Sequence, residues 1–177
     1  YSFFASMAGL FTYIRWRYKW ILSFSTVLST VFILLNVLKP EIHDQTLMPA
    51  LQSAWFIPHV TVYMFSYSLL GCAFILAVAG MFPRTQDVLP AADTLIYIGT
   101  AFLTFGMLSG MLWAKQAWGH YWGWDPKETW ALVTWLVYVL YIHLRVTGRG
   151  SRGMLCFLLI FGFACLQMCW WGINYLP

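Results

Sequence analysis

The residues with the clearest chemical character lie in one segment, WGHYWGWDPKE at positions 118–128. It contains three tryptophans, Trp118, Trp122 and Trp124, and Tyr121 lies between them. Because indole and phenol rings favour the membrane–water boundary, an aromatic belt at the end of a membrane helix is one interpretation. The density of rings, interleaved with glycines, favours a second interpretation, an apolar platform for a large flat ligand.

The end of this segment has the pattern of a helix start. Asp125 is placed to cap the amino terminus of a helix, Pro126 fits its first position and Glu128 its third. Asp125 is therefore either a plain helix cap or a cap that also belongs to a ligand site. A regular helix cannot bring all three tryptophans to one face, since positions 118 and 122 align but 124 does not. We expect a loop or broken helix from Trp118 to Trp124 that ends at the Asp125 cap.

The pattern W-G-x-x-W-x-W-D from Trp118 to Asp125 resembles the WWD signature of the haem-handling proteins of cytochrome c maturation. The segments PKETWAL at 126–132 and YIHLR at 141–145 are similar to the CcsA/ResC branch, the integral membrane half of the system II cytochrome c synthase. The resemblance extends from about Leu47 onward. It implies that the protein transports haem b, or presents it at the outer membrane face, for thioether attachment to the CxxCH motif of apocytochrome c.

The same resemblance implies a haem lyase type of cytochrome c synthase that acts within a larger complex. The implied partner is a CcsB/ResB-type polypeptide or an amino-terminal part of the same protein. Trp118, Trp122, Trp124 and Asp125 would bind the cofactor. Two other functions stay open: a haem exporter or chaperone without ligase activity, and a structural subunit of a membrane complex without a cofactor.

Two histidines are candidate axial ligands of haem iron, which accepts imidazole. His59 follows Pro58 at the outer start of a predicted span, and the alternative is an interfacial histidine without a partner. His143 lies roughly 27 Å along a helix from Asp125, so it cannot serve a ligand held at the tryptophans. A side chain at the inner interface beside Arg145 is one interpretation of His143. The resemblance implies instead that His59 ligates an outer haem and that His143 belongs to a second, inner haem site.

The composition places the chain among membrane proteins. Of its 177 residues, 61% are hydrophobic and only 9% are charged, whereas about a quarter are charged in soluble domains. We interpret the small net charge of +4 as loop charge that orients the chain, and not as a nucleic-acid surface. The four cysteines form no C-x-x-C and no C-x-x-C-H, which excludes a c-type cytochrome and a thioredoxin-like reductant.

The hydrophobic runs predict an all-α, polytopic helical membrane protein with about five full transmembrane helices and a partial one at the amino terminus. The partial helix covers 1–14, and the full spans cover 20–38, 55–82, 94–113, 127–143 and 154–171. Loops are predicted at 39–53, 83–93 and 145–153. The small residues from Gly71 to Gly80 and from Gly99 to Gly110 are interpreted as helix-packing surfaces.

We expect a single transmembrane haem-handling domain over 1–177, with an external segment at 114–126 that contains the tryptophans. Because the first residue is Tyr1 and not methionine, we expect this chain to be a fragment of a longer one.

The charged loops predict the orientation in the membrane. With the tryptophans outside, seven basic residues lie inside and three outside, in agreement with the positive-inside rule. The inner residues are Arg15, Arg17, Lys19, Arg84, Arg145, Arg149 and Arg152, and the outer ones are Lys39, Lys115 and Lys127. We expect a multi-pass protein of the bacterial inner membrane with the tryptophans on the periplasmic side, or of the thylakoid membrane if it is plastidic.

Overall fold

A computed structural model of the chain describes residues 2–38, 53–82 and 88–170. Over these residues the chain forms α-helices and no β-strand. The helices are α1 (Ser2–Trp16), α2 (Lys19–Leu38), α3 (Phe56–Gly80), α4 (Leu89–Trp118), α5 (Pro126–Val146) and α6 (Arg152–Trp170). The prediction of an all-α fold is confirmed over this part of the chain.

Four of the described helices, α3 to α6, are long and apolar enough to cross a membrane. They have 25, 30, 21 and 19 residues. α2 has 20 residues, about 30 Å of helix, and covers the predicted span 20–38. The 15 residues of α1 match the predicted partial helix. The fold is therefore that of a polytopic helical membrane protein, as predicted.

The ends of α4 differ from the predicted span 94–113. α4 begins at Leu89 and has Pro90 in its first turn, where proline is tolerated because the first amide protons of a helix have no helical partner. The predicted loop 83–93 is therefore wrong over its last five residues. α4 also continues five residues beyond the predicted end, to Trp118.

α5 and α6 are also longer than predicted where they approach each other. α5 extends to Val146, so Arg145 lies in a helix and not in the predicted turn 145–153. α6 begins at Arg152, two residues before the predicted span. The predicted loop 39–53 lies outside the described residues except for its last residue.

α3 and α4 pack side by side at the centre of the bundle, and glycines on α4 allow the close approach. A Cβ built on Gly99 would lie 2.8 Å from Leu70, and one built on Gly106 would lie 3.1 Å from the ring of Tyr63. The hydroxyl of Ser66 donates to the carbonyl of Gly99 at 2.7 Å. These contacts confirm that small residues between Gly99 and Gly110 form a packing surface. The buried core around them includes Leu69, Leu70, Leu76, Leu95, Ile96 and Leu103.

An ion pair joins α4 to α5 at one end of the bundle. The Nη2 of Arg145 lies 2.8 Å from Oδ2 of Asp93, and the hydroxyl of Tyr141 donates to Oδ1 of Asp93 at 2.7 Å. His59 of α3 contacts Gly110, which lies about 25 Å further along α4 than Asp93. We refer to these opposite ends of the bundle as the Arg145 end and the His59 end.

Candidate functional site

The tryptophan segment interrupts the helical structure at the His59 end. α4 ends at Trp118, and Gly119 follows in the left-handed conformation, with a φ of 85°. α5 begins after Asp125, whose Oδ1 accepts a hydrogen bond from the backbone N–H of Glu128 at 2.9 Å. The predicted break that ends at the Asp125 cap is confirmed, although Trp118 itself still belongs to α4. We call residues 119–125 the aromatic loop.

The first half of the aromatic loop is tied back to α4 by a lysine. Lys115 Nζ donates to the carbonyl oxygen of Gly119 at 2.8 Å, and the same ammonium lies 5.3 Å from the ring centroid of Tyr121. An ammonium over an aromatic face is attracted by the ring quadrupole, whose face is negative. Lys115 therefore helps to end α4 and holds Tyr121 beside it.

A cavity of about 850 Å³ lies between α3, α4, the aromatic loop, α5 and the end of α6. This volume is within the range of sites that hold cofactors and drug-sized ligands. Aromatic rings and methionines form most of its wall, and charged residues around the start of α5 also line it. The lining includes His59, Tyr63, Met64, Tyr67, Met107, Met111, Trp113, Trp118, Tyr121, Trp122, Asp125, Lys127, Glu128 and Cys169.

His59 is held in a defined orientation in the wall of this cavity. Its Nδ1 lies 2.9 Å from the carbonyl oxygen of Gly106, and because a carbonyl can only accept, Nδ1 carries the proton. The ring stacks on Trp113 at 5.8 Å and 11°, and contacts Tyr63 edge-on at 4.7 Å. In the neutral form of this imidazole, Nε2 then keeps its lone pair, the arrangement that a metal-ligating histidine requires.

The three tryptophans of the signature do not share one wall. Trp118 and Trp122 line the cavity, and Trp118 contacts Trp113 edge-on at 6.3 Å. Trp124 is 68% exposed and packs edge-on against Trp122 at 5.7 Å and 85°, but it is not among the described residues that line the cavity. The structure therefore brings together Trp118, Trp122 and His59, while Trp124 supports Trp122 from outside.

Trp124 also has an unusual backbone conformation. Its φ is 56°, in the left-handed region, which costs a residue with a side chain about 1–2 kcal/mol. Asp125 then returns to an extended conformation, with φ of −63° and ψ of 161°, which suits a helix cap. The reversal at Trp124 turns the chain from the loop into α5.

His143 lies far from this cavity. It occupies the last turn of α5 and is exposed. Tyr141 and Arg145, two residues to either side, contact Asp93 of α4, so His143 points away from α4. The structure thus does not bring His143 together with the other predicted site residues.

Comparison with known proteins decides the family. A family model described as Cytochrome C assembly protein matches residues 2–177. The chain belongs to this family. Its relatives include three proteins that are each called cytochrome c biogenesis protein CcsA. The one from Chlamydomonas reinhardtii is 37% identical over 84% of this chain and 46% of its own length. The one from Guillardia theta is 37% identical over 73% of this chain and 54% of its own length, and the one from Cuscuta exaltata is 32% identical over 87% and 62%.

This member of the cytochrome c assembly family spans about half the length of the curated relatives it matches. No solved structure matches the chain. The activity, substrates and partners of the whole proteins are therefore proposals for this chain.

The chemistry of the cavity fits a porphyrin better than a bare metal ion. The described residues include no group of three or more His, Cys, Asp or Glu side chains that could hold a metal ion. A porphyrin supplies four ligands to its own iron, so the protein need contribute only an axial ligand, such as an oriented imidazole, and an apolar wall. Among the described residues that line the cavity, Lys127 is the cationic side chain that could meet a carboxylate of such a ligand.

The sequence-based prediction did not include several residues of this site, although the spacing of some of them could have indicated their positions. Tyr63 lies four residues after His59, on the same face of α3. Gly106 and Gly110 lie four residues apart on α4 and face these two rings. If the glycine face of α4 had been matched to the aromatic face of α3, Trp113, three residues after Gly110, could have been placed beside His59 as well. Cys169 carries no such signal, because it reaches the cavity only through the packing of α6.

Proposed function

We propose that this chain is the haem-handling membrane part of a cytochrome c maturation protein, and that it binds haem b in the cavity at the His59 end. The observation that carries the proposal is the oriented imidazole of His59, with Nδ1 held by Gly106 at 2.9 Å, in a cavity of about 850 Å³ walled by aromatic rings. Membership of the cytochrome c assembly family supports the same function.

The side chains of the cavity have distinct proposed roles. His59 Nε2 would bind the iron, and Trp118 and Trp122, which line the same cavity, would contact the porphyrin. Lys127 would pair with a propionate, and Asp125 fixes the start of α5. Haem supplies the iron and the vinyl groups that form thioether bonds with cysteine thiols. The chain contributes orientation and proximity for the incoming CxxCH motif of apocytochrome c.

His143 is proposed to ligate a second haem at the Arg145 end. The exposed position of its side chain leaves room for a ligand from another polypeptide. The partner is proposed to be a CcsB/ResB-type protein or the remaining part of the same protein. The ligase reaction, of the haem lyase type, is then a property of the larger assembly. Haem would move from the Arg145 end to the His59 end.

The proposed orientation places the His59 end outside the cytoplasm. Among the described residues, exposed basic side chains at Arg15, Arg17, Lys19, Arg149 and Arg152 flank the connections at the ends of α1 and α5. This charge distribution supports the positive-inside orientation. The membrane is proposed to be the bacterial inner membrane, or the thylakoid membrane in a plastid.

The first test is replacement of His59 by alanine in purified protein. We expect haem affinity, measured by titration of the Soret absorbance, to fall by more than the roughly 10–100-fold that loss of an outer-shell partner causes at a metal site. Added imidazole should partly restore the spectrum, because it can fill the vacated axial position.

His120→Ala is the control for loss of an imidazole, since His120 does not line the cavity. Because its ring lies beside Gly123 in the aromatic loop, we expect a much smaller fall in haem affinity than in His59→Ala. Unchanged haem affinity in His59→Ala would exclude the proposed ligand. Haem binding without thioether formation by the complete assembly would favour the exporter or chaperone, and a protein that takes up no haem would favour the structural subunit.

A further inference from the structure

The middle of the aromatic loop lacks support from its own backbone. Among the described residues, positions 120–124 make no backbone–backbone hydrogen bond. The loop nevertheless has a defined shape, in which Trp122 lines the cavity and Trp124 adopts a φ of 56°. Side chains of the flanking helices must therefore hold the shape of the loop.

Glu128, in the first turn of α5, makes the contact that spans the strained residue. Its Oε2 accepts a hydrogen bond from the backbone N–H of Gly123 at 2.7 Å. Its own backbone N–H donates to Asp125 Oδ1 at 2.9 Å. Glu128 thus connects the residue before Trp124 to the residue after it, and the two bonds enclose the reversal of the chain.

The bond from Glu128 differs from a usual capping box. In a capping box the acid at the third helical position reaches back to the N–H of the cap residue itself. Here it reaches past Asp125 to Gly123, two residues earlier. A Cβ on Gly123 would lie 2.8 Å from Cε1 of His120, so the chain at Gly123 is also closely packed on its other side.

We propose that Glu128 is a positioning residue that sets the direction in which the aromatic loop presents Trp122. Its carboxylate holds the amide of Gly123, and Gly123 follows Trp122 directly, so the bond determines the orientation of the Trp122 backbone and of its ring in the cavity. This role concerns the shape of the loop and does not depend on haem. Its consequence for haem binding rests on the proposed function.

Two conservative substitutions separate this role from a general effect on helix stability. Glu128→Gln keeps the length and an acceptor oxygen, but loses the negative charge that favours a helix amino terminus. Glu128→Asp keeps the charge but is one methylene shorter, so it cannot reach Gly123 without moving the loop. If Glu128 positions the loop, glutamine preserves the loop and aspartate does not; if Glu128 only stabilises the helix end, the order is reversed.

The readout is hydrogen exchange of the Gly123 amide in haem-free protein labelled with ¹⁵N-glycine. We expect exchange to accelerate about tenfold or more in Glu128→Asp and in Glu128→Ala, as loss of a hydrogen bond to a charged group implies, and by a smaller factor in Glu128→Gln. Lys127→Gln is the matched control for this readout, because it removes a charge from the same helical turn without removing a bond to the loop.

Equal exchange at Gly123 in wild type and Glu128→Asp, or acceleration in glutamine but not in aspartate, would overturn the proposal. A second readout is the Soret circular dichroism of haem-loaded protein, which we expect to change in Glu128→Asp more than in Glu128→Gln. If the wild-type protein takes up no haem, the proposed function fails, while the exchange experiment still decides the role of Glu128.

Discussion

The position of the His59 ring depends on two residues that have no side chain. Gly106 supplies the carbonyl oxygen that accepts from Nδ1 at 2.9 Å. Gly110 leaves space for the ring itself, because a Cβ at that position would lie 2.6 Å from Cε1 and 2.8 Å from Nδ1 of His59. The imidazole therefore lies closer to α4 than any other residue at position 110 would allow.

We predict that Gly110→Ala displaces the imidazole, breaks its bond to Gly106 and lowers haem affinity at least tenfold, an effect of the size seen when outer-shell partners are lost. Overpacking of this kind costs about 1–3 kcal/mol of stability, so the protein should still fold. Soret titration and thermal unfolding in detergent measure the two effects separately. Gly71→Ala is the control, since a Cβ there would lie 3.6 Å from Phe163, an ordinary contact. Equal haem affinity in both variants would contradict the proposed constraint on His59.

At the level of the helices, α4 shows what hydropathy could and could not predict. The apolar runs predicted every described helix. The glycines and the Asp125 pattern predicted the non-helical segment between α4 and α5. The predicted start of α4 was wrong because proline and aspartate, here Pro90 and Asp93, are more typical of loops than of membrane helices. Asp93 is neutralised in the helix by Arg145 and Tyr141 beside it, and a partner 52 residues away is not visible in a local pattern.

The orientation of Trp124 was not predictable for a related reason. Its left-handed φ of 56° lies between two residues that Glu128 joins by hydrogen bonds, Gly123 and Asp125, and this contact is not visible in the spacing of the tryptophans. Nothing in the spacing of the three tryptophans distinguishes the ring that lines the cavity from the one that supports it. The sequence therefore predicted the aromatic site and its two neighbouring helices, but not the division of roles among the rings.

The Asp93–Arg145 contact yields a prediction at the level of α4 and α5. The side chains of Asp93 and Arg145 are 14% and 31% exposed, so this ion pair is partly buried. We expect Asp93→Asn to lower the free energy of unfolding by about 1–3 kcal/mol. Tyr141→Phe should cost about 1 kcal/mol, because it removes one hydrogen bond. In a double-mutant cycle the two losses should not add, since both substitutions act on the same carboxylate.

This contact lies at the Arg145 end, about 25 Å from Gly110 along α4. We therefore expect both variants to bind haem at the His59 end with unchanged affinity per folded protein. Additive losses in the cycle would mean that Tyr141 and Arg145 stabilise the bundle independently of each other.

At the level of the whole molecule, the contacts at the Arg145 end bring the helix termini of that end together. Asp93 and Arg145 join the start of α4 to the end of α5, and Arg152 Nε donates to the carbonyl of Gly80 at 3.2 Å, which joins the start of α6 to the end of α3. The aromatic loop lies at the other end of the same helices. The function proposed above requires that the two ends face different compartments, since haem would enter at one and meet apocytochrome c at the other.

We predict that a membrane-impermeant maleimide applied to the non-cytoplasmic side of the membrane labels Tyr121→Cys and not Gly153→Cys. Tyr121 is 51% exposed in the aromatic loop, and a Cβ on Gly153 meets nothing within 4 Å, so neither introduced thiol should be sterically blocked. Tyr121→Cys gives up only the contact of the ring with Lys115 and leaves the bond from Lys115 to Gly119 in place. Gly123 and Gly150 are less suitable, because a Cβ at either would lie within 3 Å of a neighbouring side chain.

A Cys169→Ser background removes the native thiol that is not buried, and labelling after solubilisation in detergent shows that both introduced thiols can react. Labelling of Gly153→Cys and protection of Tyr121→Cys would put the aromatic loop in the cytoplasm, where it could not present haem to an exported apocytochrome.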